Sequence, residues 1–147
     1  MRYDPVMIQP YRDELTRLGF EELRTVDAVD VALKEQKGTN LLVINSVCGC
    51  AAGKARPAIG IALKDAPVRP DHLTTVFAGA DIEATARVRE LIGTFPPSSP
   101  SIALCKDGVL VDFVPRFQIE SRDAFQIAEH LVTILREHCT QSTSSAQ

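Results

Sequence analysis

Cys48 and Cys50 stand one residue apart in Asn45-Ser46-Val47-Cys48-Gly49-Cys50-Ala51-Ala52-Gly53-Lys54-Ala55-Arg56-Pro57. Two thiols this close can clamp a metal, lie inert in a core, or exchange with disulfides. A thiol reacts as its thiolate, so reactivity needs surroundings that favour negative charge. The apolar run Leu41-Leu42-Val43-Ile44-Asn45 before the pair reads as a strand buried on both faces. Ala51 to about Lys64 reads as a helix that Pro57 should bend. The thiols therefore fall at a strand-to-helix junction, where free N–H groups and the positive helix end stabilise an anion. No acidic residue lies between Glu35 and Asp65, whereas Lys37, Lys54, Arg56 and Lys64 do. Lys54 and Arg56 are thus candidates to lower a thiol pKa and to attract an anionic small thiol.

The spacing has its own consequence. A disulfide across one residue closes a small ring, departs from preferred geometry and is easily reduced. Gly49 eases the backbone into that loop. The pair suits exchange better than permanent stapling: one thiolate attacks a target disulfide and the other resolves the intermediate. Two blander readings compete. Cysteine is a common core residue. A metal clamp is the other, but a closed zinc site needs four ligands. Cys105, Cys139, His72, His130 and His138 would have to converge on the pair. Cys105 and Cys139 read as structural thiols and the histidines as surface or packing residues, so no metal site is expected. A metal- or cluster-carrying pair, shared across a dimer, and a redox-sensing interaction module stay open as alternatives.

The whole chain sets the frame. Its 147 residues suit one domain, and 45% hydrophobic content is enough for one packed core. Net charge is −3 and the 16 basic residues are scattered, which argues against nucleic acid as a partner. No apolar run reaches membrane-spanning length. Met1-Arg2-Tyr3-Asp4-Pro5 leads into polar residues rather than the apolar core of a signal peptide. A cytoplasmic location is the expectation. Four cysteines are too few there for a disulfide framework.

The elements that must position the thiols follow from periodicity. Pro10 opens a helical pattern through Leu15 and Leu18, stopped by Gly19. Thr25 caps a second helix from Val26 to about Gln36, ended by Gly38. After the strand at 41–45 and its helix comes a strand over Leu73–Phe77. Asp81 then caps a helix to Ile92, ended by Gly93. In the loop before Ser101-Ile102-Ala103-Leu104-Cys105, Pro96 and Pro97 read as stiffeners. Asp107-Gly108 is a hairpin turn into Val109–Val114. Ser121 should cap a last helix with Phe125, Ala128, Leu131, Val132 and Leu135 on its buried side.

The order strand, helix, strand, helix, hairpin, helix makes an α/β, four-stranded mixed sheet with helices on both faces and extra N-terminal helices. That layout resembles the thioredoxin/glutaredoxin fold, over a single domain at 1–139 with a flexible tail at 140–147. The likeness implies a cis-proline before the third core strand, at Pro100. Backbone beside the thiols would be free to bind substrate there, with Ser99 and Ser101 flanking the site.

The thirteen residues quoted at the outset also resemble the signature of the bacilliredoxin family. So do Val76-Phe77-Ala78-Gly79 with Asp81 and Glu83-Ala84-Thr85, and Pro96-Pro97-Ser98-Ser99-Pro100-Ser101-Ile102-Ala103-Leu104. The resemblance implies a thiol–disulfide oxidoreductase that removes bacillithiol, or a similar low-molecular-weight thiol, from protein mixed disulfides. Disulfide isomerase activity is the related alternative. It implies Cys48 as nucleophile and Cys50 as its partner. Gly49, Lys54, Arg56, Ser99, Pro100 and Ser101 are the candidate substrate-binding residues. No cofactor beyond the thiol co-substrate is implied, and a homodimer stays open. The family tends to a histidine near Phe117, where this sequence has phenylalanine.

Overall fold

The computed structural model describes residues 3–93, 98–139 and 141–142. The first helix, α1 (Pro5–Thr16), starts earlier than Pro10 suggested. Asp4 caps it by accepting the Val6 N–H at 2.9 Å, and Pro10 sits inside it. A two-residue strand, β1 (Glu21–Glu22), follows, then α2 (Val26–Asp30), capped by Thr25 and continued by a π-helical turn over Val31–Glu35. Next come β2 (Thr39–Asn45), a π-helical turn over Ala51–Ala55, α3 (Arg56–Asp65), β3 (Val68–Arg69) and β4 (His72–Phe77). The chain continues through α4 (Ile82–Ile92), β5 (Ser101–Lys106), β6 (Val109–Val114), α5 (Arg116–Glu120), α6 (Ala124–His138) and β7 (Gln141–Ser142).

The main sheet has five strands in the order β1-β4-β2-β5-β6. The four strands expected from the pattern are there, and β1 adds a short fifth, parallel to β4 at one edge. β2 lies at the centre, parallel to β4 and antiparallel to β5. All seven of its residues are buried, as an unalternating apolar run demands. Its side chains divide between two cores by the strand period of two. Leu41 and Val43 join Ile59, Ala62, Ile127 and Leu131 from α3 and α6 on one face. Leu42 and Ile44 join Val29, Leu33, Ala84 and Val88 from α2, the π-helical turn that continues it, and α4 on the other. The β5–β6 turn is built by Asp107 and Gly108, both at positive φ (51° and 83°), as a two-residue hairpin requires.

Three local expectations are corrected. Ser121 ends α5 instead of starting α6; Asp123 caps α6 in a reciprocal capping box with Gln126. Phe125 is 74% exposed, because the buried stripe of α6 runs through Ile127, Ala128, Leu131, Ile134 and Leu135. Asp81 precedes α4 but its carboxylate does not cap that helix. It binds Arg12 at 2.8 and 3.0 Å and accepts the Phe77 N–H at 3.1 Å. The tail expected to fray contributes β7, which pairs with β3. Residues 143–147, and the stiffening prolines Pro96 and Pro97, lie outside the described residues. Among the described residues no helix is long and apolar enough to cross a membrane.

Candidate functional site

The thiol site forms where β2 ends. Asn45 fixes the exit: its side-chain oxygen accepts the Ser46 N–H at 2.9 Å, and its amide donates to the Tyr11 carbonyl at 3.2 Å. Helical structure begins at Gly49, and the Cys48 carbonyl accepts the N–H groups of Ala51 (3.1 Å) and Ala52 (3.3 Å). Cys48 is therefore the residue that caps the helix, with Gly49, Cys50 and Ala51 as its first three members. A capping side chain accepts from the second and third N–H groups. Here the acceptor is sulfur. The Cys48 thiol is half-buried, and burial pushes its pKa up, but this is outweighed. The Ala51 N–H, the Ser46 hydroxyl, the Cys50 N–H and the Arg116 charge together hold it below the ordinary thiol value. The one-residue spacing thus has a second use: it places the N–H of Cys50 on the sulfur of Cys48.

All four cysteines are free thiols, with Cys50 half-buried beside the capping sulfur and Cys105 and Cys139 buried. Gly49 is exposed, with nothing within 4 Å of where a Cβ would stand, and its φ is not left-handed. Its contribution with the thiols reduced is an uncovered loop face rather than special backbone freedom. The widened π turn comes next. The Arg56 N–H reaches back to the Ala51 carbonyl, and Pro57, which has no N–H to give, sits in the first turn of α3. The bend expected at Pro57 takes this form.

The basic residues near the pair do different work from that expected of them. Arg56 is buried, 3% exposed. Its Nε donates to Glu14 at 2.8 Å, and its Nη1 donates to the Asn45 side chain at 2.9 Å and the Ser46 carbonyl at 3.0 Å. It also lies 5.0 Å from the Tyr11 ring centroid. Arg56 therefore braces the loop from beneath. Lys54 donates through Nζ to the Glu120 carbonyl at 2.6 Å, tying α5 to the turn after the cysteines.

The cation whose charge reaches the sulfur is Arg116, from α5. Its Nη1 donates to the Ser99 carbonyl at 3.0 Å, its backbone N–H to the Ser98 hydroxyl at 3.4 Å, and its Nε to Glu120 at 3.3 Å. The Ser99–Pro100 peptide bond is cis, as the fold likeness implied. Pro100 and Ser101 are buried, and the Ser101 hydroxyl donates to the Ser98 carbonyl at 3.0 Å. Ser101 pairs with Ile44 across β5 and β2, which brings this loop beside the strand end carrying Cys48. Ser46 and Arg116 are the two contributors that sequence reasoning missed. Ser46 was within the quoted motif, two residues before the capping position; nothing local marked Arg116.

The remaining candidates lie apart. His72 Nε2 is 3.0 Å from the Lys37 carbonyl, His130 Nδ1 is 3.1 Å from Arg122, and His138 Nε2 is 3.5 Å from Asp112. Among the described residues no third metal-ligating side chain joins Cys48 and Cys50. The one group of three is Asp112, Glu137 and His138, with no cysteine in it.

Known proteins match the sequence over nearly the whole chain. The profile of the disulphide isomerase family matches residues 3–139. A bacilliredoxin of Symbiobacterium thermophilum is 56% identical over 124 residues, 84% of this chain and 87% of that protein. Bacilliredoxins of Geobacillus kaustophilus (47% identical; 95% and 98% covered) and Salinibacter ruber (52%; 95% and 82%) are similarly close. Among solved structures, oxidised thioredoxin O2 of Arabidopsis thaliana superposes with a TM-score of 0.54 at 14% identity, covering 84% of this chain and 97% of that one. That likeness concerns the fold, which is thioredoxin-like. The chain belongs to the bacilliredoxin, or disulphide isomerase, family, and is a thiol–disulfide oxidoreductase.

Proposed function

We propose that Cys48 and Cys50 remove bacillithiol, or a low-molecular-weight thiol of the same kind, from protein mixed disulfides in the cytoplasm. The observation that carries the reading is the Cys48 sulfur at a helix cap, held toward its thiolate by the Ala51 and Cys50 N–H groups and the Ser46 hydroxyl. The Cys48 thiolate attacks the small-thiol sulfur of the mixed disulfide. That S–S bond breaks, a Cys48–small-thiol disulfide forms, and the electron pair leaves on the protein's sulfur, which takes a proton from water. Cys50 then attacks the Cys48 sulfur, releasing the small thiol and leaving a Cys48–Cys50 disulfide. A cytosolic thiol reductant reopens that strained ring. No other cofactor enters. Gly49 leaves the approach uncovered, and Ser99, Pro100 and Ser101 form the opposing loop; Arg56 braces the cysteine loop from beneath, and Lys54 ties α5 to the turn after it.

The family description, disulphide isomerase, names a second activity with the same first step. The two differ in what Cys48 carries afterwards: a small thiol, or a protein. Intact-mass analysis of Cys50→Ala after incubation with a bacillithiolated protein separates them. We expect one bacillithiol on Cys48 and a freed protein thiol, with Cys48→Ala unmodified. A trapped protein–protein adduct points to the isomerase. Modification of Cys48→Ala at Cys50 reverses the assigned roles.

A further inference from the structure

The Arg116 guanidinium is placed with unusual care for a surface side chain. Its backbone N–H is fixed by the Ser98 hydroxyl, its Nη1 by the Ser99 carbonyl and its Nε by Glu120. The short helix it opens is pinned at its other end by Lys54, through the Glu120 carbonyl. Held by the Ser99 carbonyl and Glu120, the guanidinium interacts electrostatically with both Cys48 and Cys50. It is nevertheless 42% exposed. Among the described residues its Nη2 makes no hydrogen bond, so one arm of a planar fork remains for a ligand. Forked donors of this kind match carboxylates. The other site cations are committed elsewhere: Arg56 is buried against Glu14 and Lys54 is bonded to Glu120.

The loop acceptors beside the cis-proline are also engaged. The Ser98 carbonyl accepts from Ser101 and from Arg89 (3.4 Å), and the Ser99 carbonyl accepts from Arg116. An extended peptide laid along this loop would meet carbonyls that already hold donors. A small anionic thiol would meet a free guanidinium arm.

We infer that Arg116 is the specificity-determining and positioning residue of the site, pairing with a carboxylate of the small thiol and so choosing which sulfur of a mixed disulfide Cys48 attacks. The inference rests on the proposed function and deepens it. In the free enzyme Arg116 carries the Glu120 carboxylate on its Nε and also favours the thiolate form of Cys48. When that sulfur enters a disulfide its charge is lost, and a carboxylate on the incoming thiol replaces it. Anchored in this way, the small thiol presents its own sulfur to Cys48, and the protein sulfur becomes the leaving group. The exchange balances: one S–S bond breaks, one forms, and the departing protein thiolate takes a proton from water.

The test uses a carrier protein with one surface cysteine, capped either by mercaptoacetate or by 2-mercaptoethanol. These caps are alike in size and differ in the carboxylate. In a Cys50→Ala background, intact mass reads the rate of cap transfer to Cys48 and the share of Cys48 that captures the carrier instead. We expect transfer of the mercaptoacetate cap to be roughly fivefold faster than that of the neutral cap, with the preference shrinking as salt is added. Arg116→Gln should abolish the preference and raise the share of captured carrier; Arg116→Lys should keep part of the preference. A preference ratio within one variant does not depend on how much of that variant is folded. If Arg116→Gln keeps the wild-type ratio, or slows both caps equally, the inference is overturned. If Cys48→Ala in the same Cys50→Ala background still accepts either cap, the proposed function itself has failed, whatever the ratio.

Discussion

Ser46→Ala isolates one of the groups that make Cys48 reactive. The Ser46 side chain is buried, 6% exposed, and its oxygen accepts the Cys48 N–H at 3.2 Å. Its proton is then free to go to the Cys48 sulfur, where it is one of three direct donors beside the Ala51 and Cys50 N–H groups. A hydrogen bond to a charged group contributes about 1.5–3 kcal/mol when nothing replaces it. Water reaches this half-buried sulfur, so we take the low end, roughly one pKa unit upward. Below both midpoints the variant then has about a tenth of the thiolate. Each thiolate is about threefold more nucleophilic, since reactivity rises with basicity at a slope of about 0.4–0.5. The net effect is about threefold slower exchange at low pH. Above both midpoints the sign reverses, and the variant is about threefold faster. The assay is thiolate absorbance against pH in a Cys50→Ala background, with exchange rates on a small disulfide across the same range. Cys105 does not blur the lower step, because burial pushes its thiol up to about 11. An unmoved midpoint refutes the role given to the hydroxyl. A variant slower by one constant factor at every pH refutes it as well, because that result indicates a displaced loop rather than a destabilised thiolate.

Two further predictions concern stability. Cys105 keeps its proton in the folded state up to about 11, because burial disfavours its thiolate. An unfolded chain loses that proton near the ordinary thiol value. The folded state therefore binds more protons in the window between, and stability falls there by about 1.4 kcal/mol per pH unit, roughly 2–3 kcal/mol in all. Urea unfolding under reducing conditions should show a flatter alkaline limb for Cys105→Ala than for the wild type; parallel limbs would remove Cys105 as the cause. Arg12→Met strips a buried cation from Asp81 and Glu22, both within 3.0 Å, and from the face of Phe77 at 5.2 Å. Breaking a buried pair from one side costs about 3–5 kcal/mol. A loss under about 1 kcal/mol in the same unfolding assay would show that Arg24, 3.5 Å from Asp81, suffices as its partner.

What the sequence made legible depended on how local each determinant is. The central strand could be read from four apolar residues in a row, and the hairpin from Asp107-Gly108, because burial and turn chemistry act within a few residues. The two-residue strands β1, β3 and β7 carry too few residues for any period, and α5 is one turn long. These elements exist through tertiary contacts. The helix boundaries show the same division. Asp123 and Gln126 form a capping box that the pattern contains, but Ser121 is also a good cap residue and lies two positions earlier. Only the packing of Ile127, Leu131 and Ile134 against the sheet decides between them.

The site divides in the same way. A thiol at a helix cap is a local feature, and Cys48-Gly49-Cys50 after a buried strand was enough to place it. The charge that acts on the thiol is not local. Nearness along the chain favoured Lys54 and Arg56, yet a helix turns each successive side chain by about 100°. Beyond the first turn, proximity in sequence says little about which way a cation points. Arg56 points inward, to Glu14 and Asn45, and Lys54 points across to Glu120. Arg116 arrives because β6 runs back toward the site after the hairpin, and Pro115 starts a new helix there. The same path carries Phe117, 64% exposed, to the place where a histidine was expected. A cation supplied from a separate segment can change without disturbing the helix cap. Thiol acidity, set mainly by backbone N–H groups and Ser46, is therefore separable from substrate choice, set by Arg116. Variants at the two positions should be additive in acidity and independent in cap preference.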